Sequence, residues 1–187
     1  IYEDEKTVPT AYLVADPQNV TVTYAETKEV PIENKEKTGS ITVHKTTEGQ
    51  KNIEGIKFYL RGTSDSGRAI DIPATTDKDG IAKFDGVPIG TYMVIEDEET
   101  VPYGYLVADE KEVKVEYAQT IDETILNNEQ TGTVKVHKKT ADMTNVEGIR
   151  FILSGISDTG REIRIEATTD KDGLAKFEGV PVGTYTI

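Results

Sequence analysis

The sequence repeats itself at a separation of 93 residues, the distance from Gly39 to Gly132. The segment GSITVHKTTEG that starts at Gly39 returns as GTVKVHKKTAD, and YEDEKTVPTAYLVAD near the beginning returns as IEDEETVPYGYLVAD. A period of this length matches a small globular domain and is much longer than the unit of a solenoid. The chain is therefore expected to be a tandem array of similar modules.

The phase of the repeat divides the chain into one whole module and two partial ones. Residues 39–131 contain a complete period, residues 1–38 match the closing third of a module, and residues 132–187 match the opening part of another. Each partial module should leave sheet edges and an apolar face uncovered. Two explanations stay open. The chain is a segment of a longer array, or residues 132–187 are completed by residues 1–38 of another molecule in a head-to-tail association.

Local patterns predict strands and tight turns in each module. Apolar and polar residues alternate with the strand period in Ile41–Lys45, Val113–Tyr117 and Ile163–Ile165. Glycine-containing turn signals recur between such segments, at positions 66–67, 79–80, 85–86, 88–90 and 103–104. The sequence therefore predicts an all-β fold, with a small β-sandwich in each module.

Composition excludes several classes of function. The chain has 34 acidic and 21 basic residues and a net charge of −13, which disfavours binding to nucleic acid or to anionic membrane surfaces. No run approaches the roughly 18 apolar residues of a membrane span. The absence of cysteine excludes disulfides and thiolate chemistry, and two histidines offer little for a metal site or a Ser-His-Asp triad. We expect no metal, no cofactor and no turnover enzyme.

Three polar residues extend apolar rows of the predicted strands instead of solvent-facing rows. Lys45 follows Ile41 and Val43, Glu96 follows Tyr92 and Val94, and Asn127 follows Ile125. The same pattern recurs one period away, where Lys138 follows Val134 and Val136, Glu3 follows Ile1, and Asn34 follows Ile32. Because side chains two positions apart on a strand share a face, these polar groups are expected to point inward.

Two interpretations of the inward polar residues stay open at this point. Buried polar groups are costly unless they meet, so a partly buried Lys–Glu ion pair with an amide hydrogen bond is one explanation, and exposure at strand ends is a variant of it. The other is self-crosslinking chemistry. Burial lowers the pKa of an amine and raises that of a carboxylic acid, so a neutral lysine could attack an asparagine carboxamide while the acid shuttles protons. The products would be an amide bond and ammonia.

The combined pattern resembles a known family of bacterial surface domains. The residues that carry the resemblance are Gly39, Val43-His44-Lys45 and Gly55-Ile56, then Thr75–Gly80, Phe84 and Gly90-Thr91-Tyr92, and finally Ile95-Glu96, Pro102–Tyr105 and Ile125-Leu126-Asn127. Together they are similar to the Cna-B-type domains, with a collagen-adhesin B or SpaA-like prealbumin fold, of Gram-positive surface adhesins and pilins. The similarity extends over the whole module and both partial ones.

The resemblance implies a fold and a set of roles. The fold is an inverse transthyretin-like, or prealbumin-like, Ig-like β-sandwich. Lys45 would be the nucleophile, Asn127 the acceptor and Glu96 the proton-transfer catalyst of a single-turnover isopeptide bond within the module. The second set would be Lys138, Asn34 and Glu3, which could link two molecules.

The expected function follows from such a crosslink. The leading hypothesis is a structural stalk repeat of a secreted, cell-wall-attached Gram-positive adhesin, with neighbouring repeats as its partners and a covalent bond carrying mechanical force. The alternative is a binding module that recognises a host protein or glycan, although tryptophan, frequent in glycan sites, is absent. An accessory β-domain of an enzyme is the weakest hypothesis, because no turnover site can be assembled.

Overall fold

The structure is a computed structural model that describes residues 1–49, 53–141, 144 and 146–187. Within these residues the chain is built from β-strands, with two short 3-10 turns at Glu5–Thr7 and Glu98–Thr100. The strands of the whole module are β1 (Thr38–Thr47), β2 (Lys57–Ser64), β3 (Ala69–Thr75), β4 (Ile81–Pro88), β5 (Gly90–Glu96), β6 (Lys111–Val115) and β7 (Thr120–Asn127). They are followed by β8 (Thr131–His137), β9 (Arg150–Ser157), β10 (Glu162–Thr168), β11 (Leu174–Pro181) and β12 (Gly183–Thr186).

The strands of the whole module form two sheets, in the orders β4-β1-β7 and β3-β2-β5-β6. The pairs β1–β4, β2–β3, β2–β5 and β5–β6 are all antiparallel. The later strands repeat this plan, because the orders β11-β8 and β10-β9-β12 correspond to β4-β1 and β3-β2-β5. The predicted all-β sandwich and its tandem repetition are confirmed.

The alternation seen in the sequence is also the alternation of burial. Every second residue of β1 is buried from Gly39 to Thr47, and β5 alternates in the same way from Gly90 to Glu96. The apolar residues that these strands and their partners bury include Ile41, Val43, Phe58, Leu60, Phe84, Val87, Tyr92, Val94, Val113 and Val115. Removing such side chains from water is the main favourable term in forming the sandwich.

By its contacts the chain divides into two compact units. The first contains Ile1–Lys45, Glu54–Asp97 and Asp109–Thr124, and the second contains Thr46–Ile53, Glu98–Ala108 and Ile125–Ile187. The first unit holds most of the β1–β7 sandwich. The second holds strands β8–β12, whose core is made of Leu153, Ile163, Phe177 and Val180.

One predicted turn is in fact a bulge within a strand. The Asp85-Gly86 pair was expected to end a strand, but both residues lie inside β4. Gly86 has a φ of 63°, and the pairing of β4 with β1 shifts register between Gly39 and Ile41. A glycine in the left-handed region lets the strand take up the extra residue of a bulge without ending.

The first 37 residues differ from their repeat equivalents in the whole module. They contain a 3-10 turn and an isolated bridge between Tyr12 and Glu36, but no strand. Val22 is 73% exposed, whereas its equivalent Val115 is 1% exposed in β6. Ile1 and Ile32 were expected to point inward, but both side chains are exposed and lie outside any strand. Glu3 and Asn34, two residues further on in each case, are half-buried.

Gly39 and its repeat equivalent Gly132 provide a matched test of the packing of the whole module. A methyl group at Gly39 would lie 2.5 Å from the carbonyl oxygen of Glu116 and 2.8 Å from that of Gln119, whereas one at Gly132 would meet nothing within 4 Å. Because overpacking against backbone cannot be relieved by a side-chain rotation, Gly39→Ala should reduce the free energy of unfolding by about 1–3 kcal/mol. Gly132→Ala should change it little.

Differential scanning calorimetry of the two variants measures this difference. Equal destabilisation by both substitutions, or none by either, would contradict the packing described for Gly39.

A buried lysine, glutamate and asparagine as the candidate functional site

Strand β1 carries Lys45 into the interior. Lys45 lies on the same face as Ile41 and Val43, its side chain is fully buried, and the residue as a whole is 2% exposed. Its backbone N–H donates to the carbonyl of Gly80 at 2.7 Å, which extends the pairing of β1 by one residue beyond the start of β4. Burial of a lysine in such a row is uncommon, because the ammonium group loses its hydration.

Glu96, the last residue of β5, is the charged group that the structure brings to Lys45. Its side chain is 1% exposed, and its Oε1 atom lies 3.3 Å from the Lys45 Nζ atom. Burial lowers the pKa of Lys45 below its ordinary value, and the attraction of the Glu96 carboxylate only partly opposes that effect. Burial therefore makes the uncharged amine, which is the nucleophilic form of lysine, easier to reach.

Asn127, the last residue of β7, is completely buried. Its side-chain Nδ2 donates to the carbonyl of Leu106 at 2.6 Å, and its backbone carbonyl accepts from the Glu48 N–H at 3.0 Å. These two bonds hold the carboxamide and the end of the strand in a defined orientation. The sequence alone could not identify Leu106 as the acceptor, because a backbone carbonyl is present at every residue.

Strands β1 and β7 are neighbours in their sheet. Along β1, His44 Nε2 lies 2.9 Å from Asp122 Oδ1, and the Thr46 hydroxyl donates to the Ile125 carbonyl at 3.4 Å. The crosslink between Lys45 of β1 and Asn127 of β7 stays a prediction.

Part of the same arrangement is present one period earlier. Asn34 Nδ2 donates to Glu3 Oε2 at 2.6 Å and to the Leu13 carbonyl at 2.9 Å, and the Ala15 N–H donates to the same Glu3 oxygen at 2.9 Å. Asn34, Glu3 and Leu13 are the repeat equivalents of Asn127, Glu96 and Leu106. Glu3 and Asn34 are therefore brought together, even though no strand forms there.

Lys138, the remaining member of the second set, lies just after β8 rather than within it. It is half-buried, and its Nζ donates to the backbone carbonyl of Lys139 at 3.3 Å.

Among the described residues, no group of three or more histidine, aspartate or glutamate side chains is arranged to hold a metal ion. No helix in the described part of the chain is long and apolar enough to cross a membrane.

Comparison with known families assigns the repeats. The sequence profile of the SpaA prealbumin-like fold domain matches residues 39–130 and again residues 132–187. The chain belongs to this family. The two matches have the phase of the internal repeat, with one nearly complete domain followed by a partial one. No protein with a curated description matches the chain.

Several solved structures are similar to the chain. The Bacillus anthracis TIE protein is 27% identical, with a TM-score of 0.56, over 81% of this chain and 28% of its own. The minor pilin GBS52 of Streptococcus agalactiae is 25% identical, with a TM-score of 0.44, over 58% of this chain and 52% of its own. The shaft pilin SpaA of Lactobacillus rhamnosus GG is 15% identical, with a TM-score of 0.39, over 76% of this chain and 82% of its own. The chain thus spans about a quarter of the first of these proteins and half of the second.

The lowered pKa of Lys45 predicts how the stability of a protein that cannot crosslink changes with pH. In an Asn127→Ala variant the folded state binds the Lys45 proton more weakly than the unfolded state, in which the lysine titrates near 10.5. Between the lowered pKa and 10.5 the unfolded state therefore binds more protons, and this group should make the free energy of unfolding rise with pH. Urea denaturation across this window measures the slope.

An Asn127→Ala/Lys45→Met double variant provides the control, because it keeps a side chain of similar length without the titrating amine. The stability of Asn127→Ala relative to the double variant should increase as the pH rises. A difference that is independent of pH would mean that burial does not perturb the Lys45 amine.

Proposed function

We propose that the whole module crosslinks itself through Lys45 and Asn127. The observation that carries the proposal is the Lys45–Glu96 pair, in which an amine and a carboxyl group lie 3.3 Å apart with almost no access to water. The Lys45 Nζ attacks the side-chain carbonyl carbon of Asn127, a new amide C–N bond forms, and the original carboxamide C–N bond breaks. The lysine nitrogen loses its surplus proton, and the leaving nitrogen gains one, so that ammonia departs.

Glu96 acts as the proton carrier in this reaction. A carboxyl group beside the amine accepts the proton that the lysine must lose and returns it to the departing nitrogen, so the step needs no metal and no second substrate. In its acidic form it also donates a hydrogen bond to the carbonyl under attack, which stabilises the developing negative charge. The surrounding apolar side chains keep water from competing with the amine.

The crosslink would change the mechanics of the module. It joins β1 to β7 and closes a loop of about 82 residues, which by analogy with a disulfide of that length stabilises the folded state by about 4–5 kcal/mol. Force applied to the two ends of the module would pass through the covalent bond, and the enclosed sheets would remain folded. Such a bond needs no oxidant or reductant, in keeping with a chain that has no cysteine.

We assign the chain, on this basis, to the structural repeats of a Gram-positive cell-surface protein that is attached to the cell wall and carries adhesive elements. Family membership and the pilins among its structural relatives support the surface role. Neighbouring repeats of the same protein are the proposed partners. Head-to-tail association through Lys138, Glu3 and Asn34 stays a prediction.

Intact-mass spectrometry tests the crosslink directly. The purified protein should be lighter than its sequence mass by one ammonia molecule, and a protease digest should contain a branched peptide joining the Lys45 and Asn127 segments. Glu96→Gln should abolish both signals, because it removes the proton carrier while keeping the size of the side chain. Lys45→Met should abolish them as well.

Lys83→Ala is the matched control, since Lys83 is an exposed lysine on β4 that pairs with Thr42 of β1. This variant should lose ammonia as the unmodified sequence does. A full sequence mass for the folded wild-type protein, with no branched peptide, would refute the self-crosslinking function.

A further inference from the structure

The two linkers of the chain, residues 35–38 and 128–131, carry the same backbone contacts. In the first, the Lys35 carbonyl accepts from the Leu13 N–H and the Lys37 N–H donates to the Ala11 carbonyl, both at 2.8 Å. The Lys37 carbonyl then accepts from the Ile89 N–H at 2.9 Å. One edge of the linker is thus bonded to the loop that precedes it, and its other edge is bonded to the β4–β5 turn of the module that follows.

The second linker reproduces these bonds one period later. Leu106 N–H donates to the Asn128 carbonyl at 2.8 Å, Gln130 N–H donates to the Gly104 carbonyl at 2.7 Å, and Val182 N–H donates to the Gln130 carbonyl at 2.9 Å. Two independent copies of one bonding pattern indicate a structure that the sequence encodes, because the adjoining residues differ between the copies.

A glutamate at the centre of each linker contacts the β2–β3 turn, or its repeat equivalent, in the following module. Glu36 accepts from the Ser66 hydroxyl and from Arg68 Nη2, the latter at 2.7 Å. Glu129 accepts from the Thr159 hydroxyl and from Arg161 Nη2. The two glutamates are repeat equivalents, and so are the two hydroxyl residues and the two arginines. The contact is therefore one motif that occurs twice.

The turn that receives the glutamate is itself held in shape by a serine. The Ser64 hydroxyl accepts from the Arg68 N–H at 3.0 Å and lies 2.8 Å from the Ser66 hydroxyl. The corresponding distances from the Ser157 hydroxyl are 3.0 Å to the Arg161 N–H and 2.7 Å to the Thr159 hydroxyl. Hydrogen bonds within the turn therefore position the donors, and these bonds do not involve the linker glutamate.

Burial distinguishes this contact from an ordinary surface ion pair. The Glu129 side chain is completely buried, and that of Glu36 is 22% exposed. A buried carboxylate requires partners that replace its hydration, and charge-assisted hydrogen bonds from arginine supply them. In the second linker Glu48 adds to the arrangement, since its carboxylate accepts from the Glu129 N–H at 3.1 Å and lies 3.6 Å from Arg161.

We propose that the sequence Ser-Asp-Ser/Thr-Gly-Arg of the β2–β3 turn is a docking site for the linker glutamate of the preceding repeat. The occupant is a carboxylate from the same chain, and the docked linker forms a preset joint between successive modules in place of a flexible connection. The interaction is separate from the proposed crosslink, because none of its side chains belongs to the Lys45, Glu96 and Asn127 set.

The joint can be tested in the full chain through the local opening of the second linker. A protease specific for glutamate cuts after Glu129 only when the linker leaves its partners, so the cutting rate reports the population of the open state. Arg161→Met removes the charged donor while retaining most of the side chain, and should accelerate cleavage at this bond roughly tenfold to hundredfold. Arg164→Met is the matched control, since Arg164 is an exposed arginine of β10 that pairs with Glu166 at 3.3 Å, and it should leave the rate unchanged.

Hydrogen exchange measured by NMR separates undocking from unfolding. In Arg161→Met the exchange protection of the Gln130 and Val182 amides should fall by a factor similar to the increase in cleavage rate. The protection of the amide of core residue Leu153 should stay unchanged. Glu129→Gln, which keeps the shape of the linker but removes the charge, should give the same exchange pattern. Unchanged cleavage and exchange in these variants, or an equal loss of protection in Leu153, would overturn the proposal.

Discussion

The cost of burying a lysine is the constraint on which the arrangement of the module depends. Strand alternation places Lys45 in a row of apolar side chains, where its charged form cannot be hydrated. Glu96 lies beside it, yet the pKa of Lys45 is lowered, so the loss of hydration outweighs the attraction of the carboxylate. The balance found here weakens the hold of Lys45 on its proton.

Repetition within one chain shows which contacts are intrinsic to the domain. The hydrogen bond between Asn34 and Glu3 forms in a segment without strands, together with the bond from Asn34 to Leu13 that parallels the bond from Asn127 to Leu106. The Glu3 and Asn34 side chains therefore meet without a strand in residues 1–37. The lysine is different, because it comes from the first strand of a module and reaches the site only when distant strands pair.

The linkers between modules also contain charged side chains that are buried because distant residues bind them. Their glutamates lie in short charged segments that would ordinarily be solvated. Instead, Glu36 and Glu129 each accept hydrogen bonds from an arginine and from a serine or threonine that lie about thirty residues further along the chain. A module stabilised internally by a covalent bond, and joined to the next one through a docked carboxylate, would be suited to transmitting tension without a flexible connection.

The sequence by itself determined the repeat, the all-β class and the inward direction of Lys45, Glu96 and Asn127, because residue identity at a period of two decides which side chains share a face. It did not determine which groups meet across the fold. The bulge at Gly86, the absence of strands before residue 38 despite alternating residues, and the docked linker glutamates all depend on pairing between distant segments. Only the tertiary structure decides such pairing, since an alternating segment becomes a strand when another edge accepts its hydrogen bonds, and a charged side chain is buried when a distant partner replaces its water.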